Sequence, residues 1–367
     1  MVKPAYKYRR YANTLIFSDW GTTEAYYQKI CSFLGASRAK SPVGGLNAVV
    51  LYGTLVMNLP GILIRILRGG QVSVLTKDIK SATWSFIRAH QVLSGSPDSI
   101  VVFSQHSVTC RALIWVAAAK EIRTVYLPHA PTANNVAYQD LPVHVAGLWS
   151  RKDREIYKSL GASGKMKVVG NPLIQYAPWR ATGFARQRCK YIFAPSPYHK
   201  NELIRQIKWL KGFRLPMLHI CLHPRMKKHE MAEIIGDHLQ CPITFESERV
   251  ASLSEPGDVI FSCSSGVALD ALKNGSIVVD LTANGVRLNY YYLEDEIIVK
   301  LRDKSIGEVE QRIAGIRQNS AEYLQKTNVF FEDWMSYTGK ESLLRIKSLL
   351  DTKEAAPDKL IYDRWNA

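Results

Sequence analysis

Nowhere in the 367 residues do two cysteines stand as a Cys-x-x-Cys pair. The six present (Cys31, Cys110, Cys189, Cys221, Cys241 and Cys263) are scattered, several of them inside apolar runs. They read as buried free thiols in a reducing compartment. The basic start, Met1 to Arg10, is not followed by an apolar signal core, so a cytoplasmic location is expected. Zinc-finger spacing, a helix-turn-helix signature and an aromatic-basic ribonucleoprotein motif are all missing. Lysine and arginine number 48 against 32 acidic residues, a formal charge of +16, but they are spread along the chain. Nucleic acid is therefore not the expected partner. Such a field favours an anionic membrane surface or a phosphorylated substrate.

No internal repeat or low-complexity tract interrupts the sequence, and only one long stretch lacks charge. Gly44 to Ile64 is long enough to cross a bilayer. Asn47, Asn58, Pro60 and several glycines break it, and Arg65 and Arg68 follow. It reads as a buried or membrane-facing helix pair, which with the basic charge suggests peripheral attachment to an anionic inner leaflet.

Hydrophobic content of 47% and charged content of 22% are those of a folded chain, here long enough for two domains. Apolar strand-like runs alternate with helical patterns, the mark of α/β architecture. Strands are expected at 14–18, 101–104, 124–127, 143–146 and 167–169. The pattern restarts at 191–194, 217–222, 242–245, 259–261 and 276–280, five strands of a Rossmann-like sheet. An irregular stretch after Gly170-Asn171-Pro172, up to Gln187, reads as a linker. The division expected is 1–172 as an acceptor domain and 188–330 as a nucleotide-donor domain. Helices and a loosely ordered tail follow at 331–367. Two such domains facing across a cleft would make the α/β architecture called GT-B.

The most informative stretch runs from Asp258 to Gly275. A short buried strand, Val259 to Phe261, enters a turn of small residues, Ser262-Cys263-Ser264-Ser265-Gly266. A helix follows from Val267, and Asn274-Gly275 stops it. A strand feeding a helix through small hydroxyl residues leaves N–H groups and hydroxyls at the positive helix end, which suits phosphate. A plain serine cap is the other reading. Upstream, His223-Pro224-Arg225 follows directly on a strand, where proline ends pairing and histidine can donate to phosphate. Ser196, after the first strand of this half, has a backbone placed to line the same site. Ligands of such sheets sit at the carboxyl ends of the strands.

His223-Pro224 and Ser264-Ser265, in this order and spacing, resemble the His-Pro and Ser-Ser motifs of bacterial GT-B enzymes with cytidine-nucleotide donors. These are the sialyltransferases and polysialyltransferases of capsule and lipooligosaccharide synthesis and, more distantly, the teichoic-acid glycerophosphotransferases. The resemblance covers roughly residues 190–285 by motif. It implies that His223 contacts the nucleotide and its phosphate and that Ser264 and Ser265 bind the phosphate. The acidic base motif of many sialyltransferases has no match here. Pro128-His129-Ala130-Pro131 looks more like the histidine of the glycerophosphotransferases.

Transfer from an activated sugar needs a base for the acceptor hydroxyl and a cationic or hydrogen-bonding site for the departing phosphate. His129 ranks first as base and Asp19, ending the first strand, second; each has a structural reading beside it. His106 is a third candidate. No Asp-x-Asp metal motif stands at a strand end, so no metal or other cofactor is expected, and Glu294-Asp295-Glu296 reads as a solvated cap. The expectation is an inverting transferase moving a sugar from a CMP-sialic acid or CMP-Kdo type donor to a saccharide or lipid-linked surface glycan. Alternatives are a UDP-sugar transferase or 2-epimerase, a CDP-alditol phosphotransferase, and a non-catalytic scaffold of polysaccharide assembly.

Overall fold

The computed structural model describes residues 7–18, 24–38, 84–104, 107–134, 141, 143–162, 164–180, 183–184, 189–197, 200–236, 238–282, 290–302 and 304–352. Asp19, His106 and the stretch Gly44 to Ile64 lie outside them. Contacts divide the chain into two compact units. Unit 1 comprises Met1–His129, Val136–Leu173 and Tyr337–Ala367; unit 2 comprises Ala130–Asn135 and Ile174–Ser336. Both are α/β and Rossmann-like, as expected. Among the described residues no helix is long and apolar enough to cross a membrane.

Unit 1 is built on a seven-stranded sheet of order β3-β1-β2-β4-β5-β6-β7. β1 (Lys7–Tyr11) and β2 (Thr14–Ser18) form an antiparallel pair, and β3 (Ser37–Arg38) adds beyond β1. From β2 onward the pairing is parallel, through β4 (Ser99–Val102), β5 (Arg123–Tyr126), β6 (Val145–Leu148) and β7 (Lys165–Val168). All five residues of β2 are buried, as a parallel strand covered on both faces requires. Sequence reading missed β1 because its residues, Lys-Tyr-Arg-Arg-Tyr, carry no apolar run.

Helix α1 (Glu24–Leu34), α2 (84–92), α3 (Val108–Ala119) and α4 (Arg151–Ser159) accompany this sheet. Tyr26, Tyr27 and Ile30 of α1 join Ile16, Val101, Phe103 and Val125 in one core. Phe103 meets the two tyrosine rings edge-on at 5.6 and 6.1 Å. Into this same core come Leu343, Ile346, Leu349 and Leu350 of the last described helix, α11 (Gly339–Asp351). The segment 331–367, expected to stand apart, is therefore divided: Ser336 closes unit 2 and Tyr337 onward belongs to unit 1. The physical reason is the apolar stripe of α11, which finds its cover on the first sheet.

The Gly170-Asn171-Pro172 corner is what joins α11 to β7. Asn171 N–H donates to Tyr337 O (2.9 Å), and Gly170 adopts a positive φ of 80°.

Unit 2 is a six-stranded, all-parallel sheet of order β10-β9-β8-β11-β12-β13. Its strands are β8 (Tyr191–Ala194), β9 (Leu218–Cys221), β10 (Ile243–Glu246), β11 (Val259–Ser262), β12 (Ile277–Asp280) and β13 (Val299–Lys300). Counted within the unit, the order is 3-2-1-4-5-6, that of a dinucleotide-binding sheet. The sixth strand was not expected because two residues are too few to show periodicity. Helices α5 (Lys200–Gly212), α6 (Lys228–Gly236), α7 (Val250–Leu253) and α8 (Val267–Lys273) connect the strands, and α9 (Ile306–Gln318) and α10 (Ser320–Trp334) follow. A capping box, Ser305 with Glu308, starts α9.

Residues 174–180, read as part of a linker, are fastened to unit 2. The Asn328 side chain accepts from Trp179 N–H (2.7 Å) and donates to Trp179 O (3.0 Å), and Tyr176 stacks on Phe331 at 4.1 Å. One amide thus satisfies irregular backbone that has no strand or helix partner.

A Cβ built on Gly170 would sit 1.9 Å from Tyr337 O. We expect Gly170→Ala to lower the urea-unfolding free energy by about 1–3 kcal/mol from the backbone angle alone, and by more from the clash. An unchanged midpoint would show that the corner is not rigid.

Candidate functional site

Hydrogen-bond register aligns the strand ends of unit 2. Ala194 of β8 is level with Ser262 of β11, and Ser262 with Asp280 of β12. Phe193 pairs with Ile220, so Cys221 of β9 stands on the same row as Ala194. Two residues beyond that row come His223, Ser196, Ser264 and Thr282, one from each of four neighbouring strands. Strands lie about 4.8 Å apart, so the line of four spans about 15 Å. The strand order reverses between β8 and β11, and that is where a crevice opens in such sheets. Ser196 and Ser264 flank the reversal, and Ser196 Oγ donates to Cys263 O across it (2.7 Å).

The turn after β11 is shaped by a network beneath it. Ser264 has a φ of 41°, a left-handed angle for a non-glycine residue, and such residues persist only where the surroundings hold them. Its N–H donates to Thr282 Oγ1 (2.9 Å), and that hydroxyl donates onward to Asp280 Oδ1 (2.6 Å). Burial pushes the Asp280 carboxyl pKa up, while bonds from the Thr282 hydroxyl, the Thr282 N–H and the Ser264 N–H act the other way. Burial likewise pushes the Cys263 thiol up to about 12, so it is an unreactive core group.

Above this network the turn presents its backbone. Tyr292 hydroxyl donates to Ser265 O (2.6 Å). Among the described residues no acceptor meets the N–H of Ser265 or Gly266. The plain serine cap is not what holds the helix, because the cap position is Gly266 and makes no side-chain bond. Ser265 Oγ reaches only Val267 N, at 3.4 Å. The helix is two turns long, so an anion here would be met by amides and hydroxyls more than by a macrodipole. Asn274-Gly275 ends it as expected, with Gly275 at a φ of 72° and Ser276 N–H donating to Ala271 O (3.0 Å).

His223 sits half-buried in the turn after β9. The Arg225 amide donates to its Nδ1 (3.2 Å). An amide can only donate, so Nδ1 is the acceptor and the ring proton lies on Nε2. Burial and then Arg225 hold the imidazole pKa below its ordinary value. His223 is thus a neutral donor at pH 7. Pro224 and Arg225 are exposed beside it. Arg225 also lines a cavity of about 390 Å³ whose walls include Pro197, Leu203, Met226 and Met231.

In unit 1, His129 follows β5 and its Nδ1 lies 2.6 Å from Phe103 O. A carbonyl only accepts, so Nδ1 carries a proton and donates it to Phe103 O. The contact is the reverse of that of His223, whose Nδ1 accepts. Nearby, Trp149 Nε1 donates to Pro128 O (2.9 Å), fixing the residue before it. His144, by contrast, is buried on Thr124, whose N–H donates to its Nδ1 (3.1 Å). Burial and Arg123 lower its pKa to about 4, and its role is structural.

The structure therefore gathers Ser196, His223, Pro224, Arg225, Ser264, Ser265 and Gly266 on one sheet edge of unit 2, and sets His129 at a strand end of unit 1. Sequence reading missed Thr282, Asp280 and the part played by Tyr292. Tyr292 stands in a short helical turn, Tyr291–Glu294, and no pattern signals that its hydroxyl reaches Ser265. Glu294 pairs with Lys300 and Arg302, and Asp295 accepts from Trp334 Nε1 (3.0 Å).

No protein-family model matches the chain, and no curated protein matches it. Among solved structures it is similar to the S. aureus MnaA–UDP co-structure, at 14% identity over 76% of this chain and 84% of that chain, TM-score 0.47. It is also similar to the UDP-GlcNAc 2-epimerase from Neisseria meningitidis bound to UDP-GlcNAc (15% identity, 74% and 81% covered, TM-score 0.46). A third is the lipopolysaccharide outer core galactosyltransferase WaaB in its apo form (10%, 76% and 82%, TM-score 0.40). The α/β class of both units stands on their own strand orders.

Thr282→Val keeps the side-chain shape and removes the acceptor for Ser264 N–H and the donor to Asp280. We expect a loss of about 1–3 kcal/mol in chemical denaturation. Leaving Asp280 with fewer donors should also raise its carboxyl pKa further. Stability equal to the parent chain would remove the network from the account of the turn.

Proposed function

We propose that the chain is a nucleotide-sugar-dependent glycosyltransferase of the GT-B type. The observation that carries this reading is the row His223–Ser196–Ser264–Thr282 at the order reversal of a 3-2-1-4-5-6 sheet. Such a row offers a phosphate the Nε2–H of His223, the Ser265 hydroxyl proton and the open amides of Ser265 and Gly266.

In this reading the unit 2 row serves the donor and His129 serves the acceptor. A base, for which His129 is our candidate, takes the proton of an acceptor hydroxyl, whose oxygen attacks the anomeric carbon with inversion. The bond from that carbon to the phosphate oxygen breaks, and the charge left on the phosphate is met by the neutral donors of the row. The reading asks for no metal, because hydrogen-bond donors and Arg225 supply the compensation. The acceptor is a membrane-proximal saccharide.

For the donor we put a UDP-sugar ahead of the cytidine-activated sugar implied by the His-Pro and Ser-Ser resemblance. UDP and UDP-GlcNAc are the ligands named with structures similar to this chain, and no described residue singles out cytosine. Those ligands belong to other proteins, so the donor base is decided by binding.

A thermal-shift panel of UDP, UDP-GlcNAc, CMP, CDP and GDP is the direct test, since a ligand of the native state alone stabilises by about 2.7 kcal/mol at a hundredfold excess over Kd. A uridine nucleotide should give the largest shift. A CMP or CDP shift alone would restore the cytidine reading, and no shift at all would favour a scaffold. His129→Ala should keep the shift and lower transfer by about 10²–10⁴-fold. Product analysis with UDP-GlcNAc and no acceptor separates a 2-epimerase from a transferase.

The His223 geometry gives a pH prediction with a definite sign. The donating proton belongs to the neutral ring, whose pKa is already lowered, so raising pH from 7 to 9 removes no proton from Nε2. Donor affinity by calorimetry should stay level over that range. If the imidazolium were the binding form, affinity would fall about tenfold per pH unit.

A further inference from the structure

Three neighbouring strands of unit 1 end around His129. β4 runs on into Phe103, β5 into Pro128-His129 and β6 into Trp149, with Val102 level with Tyr126 and Tyr126 level with Ala146. Phe103 O takes the ring proton of His129 (2.6 Å), and the indole Nε1–H of Trp149 donates to Pro128 O (2.9 Å). One bond grips the side chain. The other grips the peptide that carries it.

The second bond falls where the backbone has a soft angle. The ring of Pro128 fixes its own φ, and Pro131 pushes Ala130 before it toward extended angles. The ψ of Pro128 has no such covalent restraint, and it sets the plane of the peptide between Pro128 and His129. The carbonyl of that peptide is the group the indole holds.

Both supports are themselves held. Trp149 is 4% exposed and Phe103 1%. Ser150, next to Trp149, caps α4: its hydroxyl accepts from Asp153 N–H (2.9 Å) and donates to Asp153 Oδ2 (2.9 Å). Tyr26 serves both supports, with its ring edge-on to Phe103 and its buried hydroxyl beside Trp149. A buried indole N–H needs an acceptor, and here the one it meets adjoins a histidine whose ring is tied to the next strand.

We propose that Trp149 is a positioning residue for His129: its indole N–H holds the Pro128–His129 peptide so that the imidazole meets Phe103 O and keeps one orientation. The use of that orientation in transfer rests on the reading of His129 as the acceptor's base; the grip itself does not. Misplacing a reacting group by about 1 Å costs up to about a hundredfold in rate.

Trp149→Phe keeps a buried ring and removes the N–H. In the full chain carrying isotope-labelled histidine, the Nδ1–H of His129 should give a low-field proton signal that is missing in His129→Ala. In Trp149→Phe that proton should exchange with solvent about fivefold faster, while the nucleotide-induced thermal shift stays at the parent value. With UDP-GlcNAc as donor, kcat for release of UDP should fall roughly tenfold to a hundredfold, with KM for UDP-GlcNAc unchanged. His129→Ala/Trp149→Phe should be no slower than His129→Ala alone, since residues acting as one unit do not add. Should Trp149→Phe fail to fold, benzothienylalanine in place of Trp149, with sulfur where the indole N–H stands, makes the same test. The proposal is overturned if the His129 proton exchanges at the parent rate once the indole N–H is gone. It is also overturned if the double variant is slower than His129→Ala by the full factor of Trp149→Phe. The exchange measurement needs no turnover, so it decides the proposal even in a chain that releases no UDP. The base reading fails separately, if His129→Ala releases UDP as fast as the parent chain.

Discussion

Backbone hydrogen bonds in a parallel sheet leave a strand no freedom to slide past its neighbours without losing the whole ladder. In unit 2 the four strands β8, β9, β11 and β12 are each four residues long, and the ladder brings their last residues to a common level. Everything polar at that edge inherits its height from this register. A single-residue slip of β9 would turn His223 away from the row and break the sequence of donors. The candidate site is therefore a property of the ladder first and of its side chains second.

Two histidines at strand ends illustrate how backbone sets chemistry. The ring of His223 is addressed by an amide and that of His129 by a carbonyl. Nδ1 therefore plays opposite parts in the two rings: it accepts in His223 and donates in His129.

Much of this was readable beforehand, for physical reasons. The buried strands Thr14–Ser18, Tyr191–Ala194 and Ile277–Asp280 announce themselves as apolar runs, and His-Pro-Arg and Ser-Ser-Gly mark strand ends by proline and by small hydroxyl residues. What escaped lacks such a pattern. β13 is two residues long, β1 is a polar strand, and the Asn328 clamp on Trp179 joins residues 149 apart in sequence. The link from Thr282 to Ser264 likewise depends on which strands are neighbours, and strand order is not written in composition. Alignment of strand ends is a tertiary fact, and only the alternation that makes it possible is local.

The return of α11 to the first core has a consequence for how the chain comes to be folded. During synthesis all of unit 2, which ends at Ser336, has been made before Leu343, Ile346, Leu349 and Leu350 exist. Unit 2 can form as a nearly continuous stretch while unit 1, begun earlier, waits with Ile16, Val101 and Val125 partly uncovered. Domains tend to fold in the order they emerge, and this chain inverts that order for its first half. Part of that apolar face stays open in the nascent chain until α11, the last described helix, has been made.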